Sequence, residues 1–82
     1  GFQFPGTFEL SAMGAATAGL EVQLPDLLRA AGIELVSEQI SWKHSSNGKY
    51  VSVRMAFKAR DRAQYDLAHE VLRDHPEVKW TL

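Results

Sequence analysis

From Lys49 to Ala59 the chain alternates, with Val51, Val53, Met55 and Phe57 interleaved by Tyr50, Ser52, Arg54 and Lys58. Successive strand side chains point to opposite faces, so this pattern specifies a half-buried β-strand and excludes an amphipathic helix. The apolar face needs a covering layer, while the polar face can stay in water. A chain built around this segment is therefore limited to a sheet with something packed on one side.

The other elements fit that requirement. Residues 1–6 read as a lead-in, punctuated by Pro5 and Gly6. Thr7 to Met13 alternates as well, with Phe8, Leu10 and Ala12 on one side, Thr7, Glu9 and Ser11 on the other, and an end at Gly14. Glu34 to His44 reads as a further strand, in which Val36, Ile40 and Trp42 share one face and Ser37, Gln39, Ser41 and Lys43 the other. Ser45-Ser46-Asn47-Gly48 joins it to the clearest strand, because Asn-Gly tolerates the positive φ of a tight hairpin. Val78, Trp80 and Leu82 form a last inward-facing set, with Lys79 and Thr81 facing out.

Two helices supply the cover. Ala15 to Ala31 carries Leu20, Leu24, Leu27, Leu28 and Ala31 at helical spacing, and Gly32 stops it. Pro25 either kinks this helix or begins a shorter one; the apolar stripe continues on both sides, which favours the kink. Asp61 caps the second helix and Gln64 completes a capping-box pattern. Tyr65, Ala68, Val71 and Leu72 form its stripe, and His75-Pro76 ends it.

The order β-α-β-β-α-β within 82 residues predicts one α+β domain spanning 1–82. It is a ferredoxin-like sandwich, a four-stranded antiparallel sheet with both helices on one face. The covered face takes Phe8, Leu10, Val36, Ile40, Trp42, Val51, Val53, Met55, Phe57, Val78 and Trp80. The bare face shows Thr7, Glu9, Ser11, Ser41, Lys43, Tyr50, Ser52, Arg54, Lys58, Lys79 and Thr81, four cations against one carboxylate. The net charge is −1, because Glu21, Asp26, Asp61, Asp66, Glu70 and Asp74 fall on the helices.

Several function classes drop out. Without cysteine there is no disulfide, thiol nucleophile or thiolate metal site, which fits a reducing cytoplasm. No apolar run can span a bilayer and no basic-then-apolar leader is visible, so neither a membrane anchor nor a signal peptide is expected. His69 and His75, six apart, fall on different sides of a helix and His44 ends a strand, so no metal site is expected. Ser45 or Ser46 beside His44 lacks an orienting carboxylate, and no paired carboxylates suggest acid–base work, so no enzyme, catalytic residue or cofactor is expected.

A binding role remains. The hairpin from Lys43 to Tyr50 concentrates two lysines, a histidine and two serines around a glycine. Lys43, His44, Ser45, Ser46, Lys49, Tyr50 and Arg54 are the expected ligand contacts for a small anion. The alternative is RNA on the basic sheet face. Base stacking needs aromatic side chains there, and this reading supplies only Tyr50, so nucleic acid is disfavoured.

Phe4-Pro5, Met13-Gly14, the pattern Ser46-x-Gly48-Lys49-Tyr50-x-Ser52 and the strand after His75-Pro76 together resemble the YbeD-like family of small bacterial proteins, over nearly the whole chain. Ser11 stands where that family commonly has lysine. The resemblance implies a ferredoxin-like fold similar to the regulatory ACT-type domains of amino-acid metabolism. It also implies a small regulatory or interaction module, often labelled lipoate-binding, and a homodimer or a protein partner.

Overall fold

The computed structural model describes residues 3–81. Its strands are β1 Gly6–Ala15, β2 Glu34–Leu35, β3 Ser41–His44, β4 Tyr50–Ala59 and β5 Val78–Thr81; its helices are α1 Leu20–Ala30 and α2 Arg62–Asp74. The ten-residue strands β1 and β4 pair antiparallel along their full length, from Gly6 opposite Ala59 to Ala15 opposite Tyr50. β5 flanks β1, while β2 and β3 both pair with β4. β2 and β3 thus form one interrupted edge, and the sheet has the expected ferredoxin-like order. Leu82, expected to close the last strand, lies outside the described residues.

The alternation read in the two central strands holds. Leu10, Val51, Val53, Met55 and Phe57 are fully buried with Leu20, Leu24, Leu28, Ala68 and Leu72 of the helices. Each such large side chain contributes roughly 1.5–3 kcal/mol by leaving water, so this two-layer contact is the main source of stability. Phe8 and Tyr65 extend it at one end, with ring centroids 5.0 Å apart.

The expected Glu34–His44 strand is broken. A 3-10 turn over Ser37–Gln39 separates β2 from β3, and Val36 donates its N–H to the Ala56 carbonyl. The break changes the parity, so Leu35, opposite Phe57, packs on the core where Val36 was expected. Trp42 lies opposite Val53, on the helix side as read, but 54% of it stays exposed. All four residues of β3 are exposed, since this edge extends past the helical cover. Trp42 is therefore not a core residue.

α1 is shorter than the 15–31 span expected. β1 runs through Ala15, a 3-10 turn covers Ala16–Ala18, and Gly19 at φ 68° precedes the helix. Pro25 neither starts the helix nor divides its assigned span; it is buried inside it. The missing N–H leaves the Glu21 carbonyl without its helical partner. At the start of α2, the Asp61 carboxylate accepts the Gln64 N–H at 3.0 Å, and Gln64 Oε1 accepts the Arg60 N–H at 2.9 Å. This is the capping box read from the sequence, its return bond falling one residue before the cap.

His75 ties the ends of the helical layer together. Its Nδ1 accepts the Glu77 N–H at 3.0 Å, so Nε2 carries the proton and donates to Gln23 Oε1 at 2.9 Å. The bond links the end of α2 to α1.

Candidate functional site on the open sheet face

The hairpin is self-contained. Gly48 donates its N–H to the Ser45 carbonyl and holds φ at 73°, which a glycine adopts without a Cβ clash. Ser45 Oγ donates to Asn47 Oδ1 at 2.7 Å and accepts the Tyr50 N–H at 3.1 Å. Asn47 Oδ1 also accepts the Lys49 N–H at 3.1 Å. These bonds fix the turn and use up the Ser45 hydroxyl proton and the Lys49 and Tyr50 amides that an anion would need. Ser45 has no hydrogen bond to His44 among the described residues, so the pair is not arranged as nucleophile and base.

Of the seven expected contacts, the structure brings five around one shallow cavity of about 400 Å³: Lys43, His44, Ser45, Ser46 and Tyr50. Met13 and Ser52 complete its lining. Lys49 is not part of it. Arg54 sits one residue row away, opposite Ser41 and Ser11, and borders a separate hollow with Ser41, Trp42, Lys43 and Ser52. His44 borders the main cavity, although its register opposite Val51 assigns its side chain to the other face from Lys43.

The last strand overturns part of the face assignment. Ala12 pairs with Thr81 and Met13 with Trp80, but Gly14 pairs with Val78, so a bulge at Lys79 inserts one extra residue. A bulge shifts alternation by one position. Val78 faces the core as expected, yet Trp80 then shares the open face with Met13, and Thr81 turns to the helix side with Ala12. Trp80 is 57% exposed and is not a core residue, and Thr81 leaves the open-face set. The Tyr50 and Trp80 rings meet edge to face at 5.9 Å, reaching across β1, where Tyr50 faces only the small Ala15.

Charge changes with it. The open face carries Lys43, Arg54 and Lys58 against Glu9 and Glu34, and Lys58 pairs with Glu34 at 3.5 Å. The mildly basic face read from the sequence gains Glu34 as a partner for Lys58 and becomes more mixed, with its apolar and aromatic part at the hairpin end. Sequence reasoning missed Met13, Ser52 and Trp80 as neighbours of the cavity. One signal for Trp80 was present: a glycine inside a strand pattern marks a bulge or a close backbone approach. Gly14 marks both, since a Cβ there would meet the Glu77 carbonyl oxygen and approach Leu20 Cδ1 to 2.6 Å.

The histidines are dispersed. His69 packs on Tyr65 and Phe57 with centroids at 4.6 and 6.5 Å, on the far side of the sheet from the cavity. Its Nε2 is buried without a partner among the described residues. Burial, then the Arg73 charge, push its pKa below the ordinary value, opposed by Asp66. Among the described residues no three His, Asp or Glu side chains gather as a metal site, and no helix is long and apolar enough to cross a membrane.

Comparison with known proteins places the chain. The family model described as "Protein of unknown function (DUF493)" matches residues 1–82. A UPF0250 protein of Stenotrophomonas maltophilia is 77% identical over all of this chain and 89% of its own length. A UPF0250 protein of Xylella fastidiosa is 73% identical over the same shares. The solution structure of protein HP0495 from H. pylori superposes with a TM-score of 0.78 over all of this chain and 86% of that one; at 14% identity this likeness speaks for the fold alone. The chain belongs to the DUF493 family, the UPF0250 proteins of these bacteria, as its YbeD-like resemblance implied.

Proposed function

We propose that this domain is a non-enzymatic regulatory or interaction module that binds a small anionic ligand at the hairpin end of its open sheet face. The observation that carries the reading is the cavity between β3, β4 and β1, which Lys43 lines together with Met13, Ser52 and Tyr50. No carboxylate pairs with Lys43 among the described residues, so its charge is available to a ligand. The arrangement suits a small anion with an apolar part, the broad class that includes the lipoate and ACT-type ligands implied by the family resemblance. A cytoplasmic location and a homodimer belong to the same proposal.

Chemical-shift titration with lipoate, octanoate and amino acids tests it. The expected result is movement of the Lys43, Ser46, Tyr50 and Ser52 amides with at least one of them. No movement around the hairpin with any of them removes the reading. Light scattering that finds a strict monomer at high micromolar concentration removes the dimer.

RNA binding on the same face is a second reading, favoured by one observation: Trp80 joins Tyr50, so a stacking surface exists. The mixed charge of the face weighs against it, because polyanion binding draws mainly on phosphate contacts. A gel shift of an RNA oligomer at low salt that disappears at moderate salt would support it.

A further inference from the structure

The strand register aligns four open-face residues in one row across the sheet: Lys43 beside Ser52, Ser52 beside Met13, and Met13 beside Trp80. With strands spaced about 4.8 Å apart, the row measures roughly 14 Å from end to end. A cation stands at one end and an indole at the other, with a hydroxyl and a thioether between them. The cavity at Lys43 and the smaller one beside Trp80 share Met13 and Ser52, so the row forms a continuous shallow trough. Tyr50 buttresses the indole edge to face, which holds the ring while leaving most of it in water.

A flat ligand suits this surface better than a flexible chain. An open sheet gives an alkyl tail little enclosure, whereas an exposed indole gains a full stacking contact from any planar ring. We infer that the row Lys43–Ser52–Met13–Trp80 is a binding site for a single nucleotide, its base stacked on Trp80 and its phosphate at Lys43, with Ser52 beneath the sugar. The long Lys43 stem and the width of the indole shorten the row to nucleotide length. The site takes one unit and not a polymer, because a strand leaving it along β1 and β4 passes Arg54 and then meets Glu9 and the paired Lys58–Glu34. This inference rests on the reading that the open face binds a small ligand, and it names the chemistry of that ligand.

The test uses adenosine monophosphate, with adenosine as a ring lacking the anion and octanoate as an anion lacking the ring. In a Trp42→Phe background Trp80 is the sole tryptophan and reports by fluorescence, while amide shifts map the row. The expected result is quenching of Trp80 with shifts at Lys43, Ser52 and Met13, at high micromolar to millimolar nucleotide. Trp80→Ala weakens binding roughly five- to 150-fold, the range for losing one base stack, and Trp80→Phe recovers part of it. Lys43→Gln reduces the nucleotide to the affinity of adenosine. Absence of quenching at millimolar nucleotide, shifts elsewhere, or equal binding of adenosine and the nucleotide would overturn the inference. Octanoate moving the hairpin while the nucleotide does not would also overturn it, yet would leave the small-anion reading standing; silence from all three would overturn the nucleotide site, and silence from lipoate and amino acids as well would remove both.

Discussion

His69 shows how one residue couples packing to pH. Its ring covers Phe57 and Tyr65, and its buried Nε2 has no acceptor for the proton that a charged ring would carry. The folded-state pKa lies below 6.5, chiefly by desolvation and then by Arg73. Between that lowered value and 6.5 the unfolded chain binds more protons, so stability falls as pH drops through this window and the penalty is complete below it. His69→Phe keeps the ring contacts and removes the titration. Urea midpoints followed from neutral pH downward should show a flatter acid decline in the variant. Gly14 shows a steric constraint. Gly14→Ala sets a methyl against the Glu77 carbonyl and the Leu20 side chain. The expected cost is about 1–3 kcal/mol of overpacking, read as a lower melting temperature.

Among the elements, α2 begins at a cap and α1 does not. Asp61→Ala removes the acceptor for the Gln64 N–H and should cost about 1 kcal/mol, a drop of roughly 4–8 °C in a domain of this size. Asp61→Asn should retain most of that stability in the same thermal melt. Gly19 begins α1 with no side-chain cap bond, and this helix is held by Leu20, Leu24 and Leu28 against the sheet. Leu28→Ala should therefore cost about 2–5 kcal/mol by denaturant titration, more than any change at a cap.

At the scale of the whole molecule, the sheet sets the shape. The paired ten-residue strands give extents of 39 × 23 × 23 Å, and the open face is one side of that slab. Its mixed charges give no continuous basic track, so an oligonucleotide should bind little more tightly than one nucleotide. The log–log salt dependence should have a slope near −0.7, about one phosphate contact on a single strand, measured by fluorescence anisotropy. A slope several times steeper would instead indicate a polymer site.

The sequence by itself determined the two central strands, both helices, the Asp61 cap and the hairpin, because each follows from local spacing or local hydrogen bonding. Alternation assigned Tyr50, Ser52 and Arg54 to the open face, and the pairing of β1 with β4 agrees. The edges were decided by tertiary structure. β3 and β5 are four-residue strands held on one side only, where a turn or an extra residue costs few hydrogen bonds and shifts every side chain after it. A bulge at Lys79 exists only relative to a partner strand, and the crowding at Gly14 only once Glu77 arrives from far along the chain. That is why the place of Trp80, and with it the aromatic end of the candidate site, emerged from the fold.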